Sequence, residues 1–256
     1  VDRMRHGRLF FMGDAAKVVS PFGARGGNTG IADADNLAWK LAAIMKGRAS
    51  PELLDSYHEE RHEAATQNVL VTNRTARFLR PAPGIEKTFR DAALSLARQH
   101  LFARQLVNTG RMAIANPYSR SSACDRTGGL PVQNVSFHWP DGSRGTMNEL
   151  LQWADGNLLV LLFGDASPGS LARLRALSET APVCCVQVLG SEGSAGAVEH
   201  VRDPQGHLQG ACHVFGHAWA LIRPDSYVAA TGESVDAALV HAVGRSLGAE
   251  LEGDEA

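Results

Sequence analysis

The 256-residue chain has no apolar run near the roughly eighteen residues that a membrane-spanning helix needs. It also has no secretory-type N-terminal segment, with a charged start followed by an apolar stretch. Its four cysteines are irregularly spaced, which argues against a disulfide framework and for a reducing compartment. Neither G-x-G-x-x-G nor G-x-x-x-x-G-K-[ST] occurs, so these phosphate-binding motifs are absent. The absences favour a protein without a membrane partner, and the cytoplasm is the expected location.

Charge is divided unevenly along the chain. Residues 1–125 carry 18 Lys and Arg against 12 Asp and Glu, whereas residues 126–256 carry 7 against 15. The sign changes within a stretch rich in turn residues, which predicts a first domain at 1–115, a linker at 116–130 and a second domain at 131–250. The arginines of the basic part are spread along predicted helices without interleaved aromatic residues. We therefore expect no nucleic-acid partner.

One segment near the start of the chain predicts a cofactor-binding edge. The apolar run Arg8–Met12 predicts a buried strand that ends at Gly13 and delivers the Asp14 carboxylate to a site. The predicted loop Pro21–Gly30 contains four glycines, so its backbone can come close to a flat or phosphorylated ligand. A helix predicted to begin at about 28–31 would point its N–H groups and partial positive charge at that ligand.

Charged residues in this segment allow other interpretations. Arg25 could contact a phosphate or a substrate carboxylate, or it could be a solvated loop residue. Asp33 and Asp35 fall in the first turns of the predicted helix, where carboxylates suit the helix dipole and need no catalytic role. Asp14 could cap the following helix. The glycine loop and helix that follow it favour the cofactor role.

The order and spacing resemble the second flavin-contacting motif of the FAD-dependent aromatic hydroxylases. The matching residues are Gly13-Asp14-Ala15-Ala16, Pro21, Gly26-Gly27-Asn28-Thr29-Gly30, Asp33-Ala34, Asn36-Leu37-Ala38-Trp39-Lys40-Leu41, Leu54, Tyr57 and Glu60-Arg61. The resemblance implies that Asp14 hydrogen-bonds the ribityl chain of FAD and that the Pro21 backbone lies beside the isoalloxazine ring. It also implies that the N–H groups of Gly27 and Asn28 face the pyrimidine oxygen of the flavin. Gly13 and Gly26 complete the implied cofactor-binding set.

The resemblance further implies a parent enzyme that reduces FAD with NAD(P)H and uses O2 to hydroxylate a small phenolic or other aromatic substrate. That family has a dinucleotide-binding motif near its N-terminus, which is absent here. We therefore expect the chain to be roughly the C-terminal half of such an enzyme and inactive alone. The catalytic residues remain unknown from this sequence, and a homodimer is compatible with the assignment.

Helical patterns continue after this segment. Apolar residues at helical spacing predict a helix that stops at Gly47. A second helix is predicted to open at Ser50-Pro51 and to run toward Leu79, where Pro81 and the residues after it end it. A third is predicted from Ile85 to about residue 112, with a break near residue 110.

The second half predicts an α/β domain. The predicted elements are strands Leu158–Phe163 and Val183–Leu189, helix Pro168–Glu179, a hairpin of Trp219–Ile222 and Tyr227–Ala230, and a final helix Val235–Leu247. This order resembles the thioredoxin-like domain that ends the phenol and 3-hydroxyphenylpropionate hydroxylases, most specifically in the hairpin. The expected fold class is α/β, a helical remnant of an FAD-binding domain followed by a thioredoxin-like domain.

A redox dithiol is not expected in this domain. The position where a thioredoxin-like protein carries it reads Asp165-Ala166-Ser167-Pro168. Cys184 and Cys185 are adjacent on a predicted strand, so their side chains should point to opposite faces. The main alternative to a hydroxylase is therefore a non-catalytic thioredoxin-like module for interaction or dimerisation.

A zinc hydrolase is the third alternative. His58-Glu59-Glu60-Arg61-His62 satisfies H-E-x-x-H on a predicted helix, with Glu59 as a candidate base. No convincing third ligand follows at the spacing that such enzymes use, and the same residues match the hydroxylase motif. We therefore expect no metal site.

Overall fold

The computed structural model describes residues 1–21, 25–107, 115–191 and 198–251. Contacts divide the chain into two compact units. Unit 1 comprises Val1–Ala34 and Arg61–Asn116, and unit 2 comprises Asp35–Glu60 and Pro117–Ala256. Within the described ranges, no helix is both long and apolar enough to cross a membrane.

Unit 1 is built from helices and a short β-ribbon. Strands β1 (Arg5–His6) and β2 (Leu9–Phe10) pair antiparallel, and a single turn of 3-10 helix follows at Gly13–Ala15. The helices are α1 (Arg25–Met45), α2 (Asp55–Leu79), α3 (Ile85–Gln99) and α4 (Leu101–Val107). Helices α1 and α2 cross the division between the units, so both also contribute residues to unit 2.

Two predictions for this part of the chain are wrong. The buried strand predicted at 8–12 is only the two-residue β2, and Leu9 is 67% exposed. A two-residue partner strand cannot bury a long apolar strand, and the other residue of β2, Phe10, is only half-buried. The helix predicted to continue from Ile85 to near residue 110 is instead interrupted at His100, whose extended backbone separates α3 from α4 and lets the two helices pack on one another. Residues 108–114, which include the predicted break and helix end, lie outside the described residues.

The predicted ends of α1 and α2 are confirmed. Helix α1 ends at Met45, and Gly47 follows with a φ of +69°, a conformation that glycine adopts without strain. A 3-10 turn at Pro51–Leu54 leads into α2, which ends at Leu79, two residues before Pro81. Proline and glycine therefore set these boundaries, as the sequence indicates.

Unit 2 contains a mixed β-sheet. Its strands are β3 (Ser136–His138), β4 (Arg144–Thr146), β5 (Leu158–Phe163), β6 (Val183–Leu189), β7 (Glu199–Arg202), β8 (Trp219–Ile222) and β9 (Val228–Gly232). Its further helices are α5 (Met147–Trp153), α6 (Pro168–Thr180), α7 (His207–Ala211) and α8 (Ala237–Ser246). Over the described residues the strand order is β4-β3-β7-β6-β5-β8-β9, with β5, β6 and β7 parallel and every other neighbouring pair antiparallel.

Strand β5 is buried on both faces, which explains its unbroken apolar sequence. Leu158, Val160 and Leu162 pack into one core cluster, together with residues of α6 and α8. Leu159 and Leu161 pack into the cluster on the opposite face, with residues of α5 and α7. The predicted strands β5 and β6 are confirmed over their full lengths.

The other predicted elements of unit 2 differ only at their ends. Helix α6 extends one residue beyond its predicted end, to Thr180. Strand β9 begins at Val228 and not at Tyr227. Helix α8 starts after Asp236, because the Asp236 carboxylate accepts a hydrogen bond of 2.9 Å from the Ala238 N–H and caps the helix.

The two neighbouring cysteines of β6 face opposite sides of the sheet, as predicted. Cys185 packs into the cluster with α6 and α8, and Cys184 packs against the other cluster. Burial raises the pKa of the Cys185 thiol to about 12 and also raises the pKa of Cys184. Both thiols are therefore protonated near neutral pH, which makes them poor nucleophiles.

Candidate functional site

The glycine-rich segment is helical over most of its described length. Helix α1 begins at Arg25, earlier than the predicted start at 28–31, so Gly26, Gly27 and Gly30 lie in its first two turns. The predicted loop was therefore wrong for these residues, while residues 22–24 lie outside the described part of the chain. Glycine costs about 1 kcal/mol relative to alanine in a helix. Other side chains must hold this turn in helical form.

Arg25 and Thr29 supply that support through Asn68 of α2. The Arg25 guanidinium donates to the Asn68 side-chain oxygen, and the Asn68 amide donates to Thr29 Oγ1 at 2.9 Å. All three side chains are buried, and Arg25 is only 7% exposed. The interpretation of Arg25 as a solvated loop residue is therefore wrong.

The turn that follows β2 carries Asp14 at its surface. Gly13 starts this turn with a φ of +55°, and Asp14 is exposed. The turn lies directly against α1, because a Cβ at Gly30 would be only 3.4 Å from the Gly13 Cα. Glycine at both positions therefore allows the Asp14 turn and the second turn of α1 to approach closely.

Asp33 joins this turn to both long helices of unit 1. Its Oδ2 accepts a hydrogen bond of 2.9 Å from the Gly13 N–H and pairs with the Lys17 ammonium, while its Oδ1 accepts from Arg61 Nε at 2.8 Å. Asp33 is fully buried, whereas Asp35 is exposed. The prediction that Asp33 lies in the first turns of the helix is wrong, because α1 begins earlier and Asp33 occupies its third turn.

Burial lowers the pKa of Lys17, and the neighbouring Asp33 carboxylate acts in the opposite direction. The Asp33 carboxylate therefore stabilises the charged forms of Lys17 and Arg61, with which it is paired. If the carboxylate were removed, two cations would remain close together with little access to water.

Among the described residues, no side chain or backbone crowds the two glycines in the first turn of α1. A Cβ built on Gly26 or Gly27 would have no described atom within 4 Å, and Gly27 and Asn28 are exposed. The N–H groups in the first turn of an α-helix carry a partial positive charge. The two glycines thus leave room for a flat ligand with acceptor atoms.

The predicted cofactor-binding residues lie on two adjoining elements. Gly13 and Asp14 belong to the turn, whereas Gly26, Gly27 and Asn28 belong to the first turn of α1. The sixth residue, Pro21, is exposed and directly precedes the undescribed residues 22–24. Contact of these six residues with a cofactor stays a prediction.

Other motif residues meet in a buried cluster inside unit 2, which we call the Glu60 cluster. It consists of Asn36, Lys40, Glu60, Arg223 and Asp225. Glu60 Oε2 accepts from Lys40 Nζ at 2.8 Å and from Arg223 Nη2 at 2.9 Å. Asn36 Nδ2 bridges Glu60 and Asp225 at 2.6 and 3.0 Å. Four of the five side chains are at most 1% exposed and Asp225 is 5% exposed, so this part of the motif has a structural role.

The pKa values of Glu60 and Lys40 are set by burial and by the ion pairs within the Glu60 cluster. Burial by itself would raise the pKa of Glu60, but Arg223 and Lys40 outweigh that effect and hold the pKa far below its usual value. Burial lowers the pKa of Lys40 to about 8, although Glu60 partly opposes the change. Glu60 is therefore ionised in the folded protein well into the acid range.

We expect unit 2 to lose stability in acid through Glu60. Because the pKa of Glu60 is lower in the folded than in the unfolded chain, the unfolded chain binds more protons below about pH 4.5. The free energy of unfolding should then fall by up to about 1.4 kcal/mol per pH unit for this group. Urea titrations between pH 3 and 8 measure it, with tryptophan fluorescence as the probe because all four tryptophans lie in unit 2.

The matched variant for this pH series is Glu60→Gln, which cannot titrate at this position. Below about pH 4.5, the free energy of unfolding of Glu60→Gln should fall less steeply with pH than that of the parent chain. The difference in slope should correspond to about one bound proton. An equal slope in both proteins would show that other carboxylates cause the acid dependence.

The zinc-type motif does not assemble a metal site in the described part of the chain. Glu59, the candidate base, accepts a hydrogen bond of 2.7 Å from the Ser122 N–H. Across the described ranges, no group of three or more His, Cys, Asp and Glu side chains is placed to hold a metal ion. The geometry gives the zinc hydrolase alternative no support.

Comparison with known proteins relates part of this chain to FAD-binding proteins. Residues 1–72 match the family described as FAD binding domain. The chain is 35% identical over 250 residues to 6-methylpretetramide 4-monooxygenase of Streptomyces rimosus, covering 91% of this chain and 43% of that protein. The matched FAD family region contains both the Asp14 turn and the first turn of α1.

Solved structures agree with this relationship. The anhydrotetracycline hydroxylase OxyS of Streptomyces rimosus superposes with a TM-score of 0.70 at 27% identity, over 97% of this chain and 46% of that one. Aklavinone-11 hydroxylase, solved with FAD and aklavinone, gives 0.66 at 25% identity over 96% and 44%. The chain thus spans less than half the length of each of these proteins.

Proposed function

We propose that this chain supplies a flavin-contacting edge of an FAD-dependent monooxygenase that hydroxylates a small phenolic or other aromatic compound. One observation carries the proposal: the turn that carries the exposed Asp14 lies against α1, where a Cβ at Gly26 or Gly27 would meet no described atom within 4 Å. The match of residues 1–72 to an FAD binding domain and the monooxygenase names of the relatives support it.

The residues of this edge fit the chemistry of a flavin. Asp14 would accept a hydrogen bond from a ribityl hydroxyl, and the backbone of Pro21 would lie beside the isoalloxazine ring. The N–H groups of Gly27 and Asn28 would face the pyrimidine oxygen, where the partial positive charge of the helix start stabilises negative charge. Bound FAD supplies the redox chemistry with NAD(P)H and O2, and the protein supplies orientation.

We propose residues 131–250 as a thioredoxin-like domain, following the FAD-binding part at 1–115 and a linker at 116–130. The support is the strand order β6-β5-β8-β9, with β6 parallel to β5 and both β8 and β9 antiparallel to their neighbours. Helix α6 connects β5 with β6, and α8 follows β9.

The second candidate function is a non-catalytic interaction module, and one observation in this domain favours it. Where a redox dithiol would precede α6, the residue at the helix start is Ser167, whose hydroxyl accepts a hydrogen bond of 3.1 Å from the Ser170 N–H. Ser167 therefore caps the helix and performs no thiol chemistry. Flavin binding at the Asp14 edge separates the two candidate functions.

We expect FAD added to the ¹⁵N-labelled chain to shift the amide resonances of Gly13, Asp14, Gly26 and Gly27. Affinity should be weak, with a Kd of about 10 μM to 1 mM, since the chain spans less than half of its relatives. Asp14→Ala should reduce the affinity about 10- to 100-fold, because a charge-assisted hydrogen bond contributes about 1.5–3 kcal/mol.

Asp91→Ala is the matched control, since Asp91 is an exposed aspartate of α3 in the same unit. It should leave the FAD titration unchanged. Shifts confined to other residues, or equal effects of the two substitutions, would contradict the assignment of the edge to flavin. A tight stoichiometric complex would contradict the expected weak affinity.

Three finer statements belong to this proposal. The chain alone should lack hydroxylase activity, because it spans less than half of each hydroxylase that it resembles. NAD(P)H as the reductant follows from the resemblance of the sequence motif to the hydroxylase family, and a homodimeric assembly is compatible with it.

A further inference from the structure

We propose that Asp33 is a positioning residue for FAD, which holds the turn from Gly13 to Lys17 against α1 so that the Asp14 carboxylate is presented to the cofactor. The inference rests on the proposed function, because it concerns the same edge. Asp33 itself is fully buried and would not touch the cofactor.

The Asp33 carboxylate bonds to the first and the last residue of this five-residue turn. Asp33 Oδ2 accepts from the Gly13 N–H at 2.9 Å at one end and pairs with the Lys17 ammonium at the other. Asp14 lies between these two anchored residues, and it is exposed. The bonds of Asp33 thus limit where the neighbouring carboxylate can point.

The backbone of Gly13 is held on its other side as well. Its carbonyl oxygen accepts from the Ala16 N–H at 3.1 Å and from the Lys17 N–H at 3.0 Å. The residue immediately before Asp14 therefore has both of its backbone polar groups bonded. This matters because Gly13 is a glycine with a positive φ, which has broad conformational freedom when it is not held.

Helix α2 keeps Asp33 in place. Arg61 Nε donates to Asp33 Oδ1 at 2.8 Å, and the Arg61 side chain is 2% exposed. Helix α2 thus orients Oδ1 of Asp33 through Arg61, while Oδ2 faces the turn and accepts from Gly13. A preorganised turn binds its ligand more tightly because less conformational freedom is lost on binding.

The test compares Asp33→Asn with Asp35→Asn, an exposed aspartate two residues further along α1. Asp33→Asn should move the Gly13 amide proton resonance, because its charged acceptor is lost, and should weaken FAD binding about 10-fold. Asp35→Asn should change neither the Gly13 resonance nor the FAD titration. Unchanged FAD affinity in Asp33→Asn would overturn the proposal.

A double-substitution cycle separates positioning from general destabilisation. If Asp33 acts through Asp14, Asp33→Asn should cause no further loss of FAD binding in an Asp14→Ala background. The initial slope of the Gly27 amide shift against FAD concentration measures this. An equal loss in both backgrounds would show that Asp33 acts independently of Asp14, which overturns the proposal.

The variant Asp33→Asn/Lys17→Met addresses folding. It keeps the net charge of the Asp33, Lys17 and Arg61 group while still removing the charged acceptor of the Gly13 N–H. Once its amide spectrum shows a folded unit 1, FAD binding should remain about 10-fold weaker than in the parent chain. Parental affinity would overturn the proposal. Failure of the proposed function is distinct, since FAD would then not shift Gly13, Asp14 or Gly27 in the parent chain.

Discussion

Glu60→Ala should lower the free energy of unfolding of unit 2 by about 3–5 kcal/mol, the usual cost of removing one partner from a buried ion pair. The substitution leaves Lys40 and Arg223 as buried cations with Asp225 as their remaining carboxylate. Since domains are stable by only about 5–15 kcal/mol, this loss is a large fraction of the stability that a domain typically has. Urea titration followed by tryptophan fluorescence measures the effect.

Glu59→Ala is the matched control for this loss. Glu59 precedes Glu60 on α2, and its carboxylate accepts one hydrogen bond from the Ser122 N–H near the surface. Its removal should cost about 1 kcal/mol. In Glu60→Ala/Lys40→Met, part of the larger loss should return, because one unpaired cation is removed. Similar losses for the two single substitutions would show that the Glu60 cluster does not govern the stability of unit 2.

Gly129→Ala should destabilise unit 2 by about 2–4 kcal/mol, through backbone strain and steric overlap together. Gly129 has a φ of +81°, and a Cβ there would overlap the carbonyl oxygen of Tyr118. The backbone cannot easily move away, since the Gly129 N–H donates to the Val228 carbonyl at 2.7 Å and the Gly129 carbonyl accepts from the Tyr118 N–H at 2.8 Å. Tryptophan fluorescence in urea is again the measurement.

Gly142→Ala separates the two causes. Gly142 has a φ of +86°, but a Cβ at this position would meet no described atom within 4 Å. Its substitution should therefore cost only the backbone strain, about 1 kcal/mol. If Gly129→Ala and Gly142→Ala lowered the free energy of unfolding equally, the close approach of Gly129 to Tyr118 would not contribute to the loss.

The residues of the motif that resembles the hydroxylases fall into an exposed group and a buried group in this chain. Asp14 and Gly27 are exposed on an open surface, as a ligand-binding role requires. Asp33 and Glu60 are fully buried, and their carboxylates pair with basic side chains of the protein. A motif match by itself does not separate residues that would touch a cofactor from residues that hold the protein together.

The turn at Gly13 and Asp14 was predictable because its signal is local. Glycines and an acid in close succession after an apolar run indicate a ligand-binding turn from the sequence. Asp33 gave no such signal, because an aspartate near a predicted helix start already has a sufficient explanation in the helix dipole. Its partners Gly13 and Arg61 are 20 and 28 positions away, so its role depends on packing.

The sequence alone determined the elements whose cause lies within a few residues. Continuous apolar runs predicted β5 and β6, and glycine and proline predicted the ends of α1 and α2, since periodicity and backbone restriction act locally. The tertiary structure decided the helical start at Arg25, the exposure of Leu9 in β2 and the pairing of Glu60 with Arg223, 163 positions apart. Each of these depends on which distant groups exclude water or supply a bonding partner, and the folded chain alone brings those groups together.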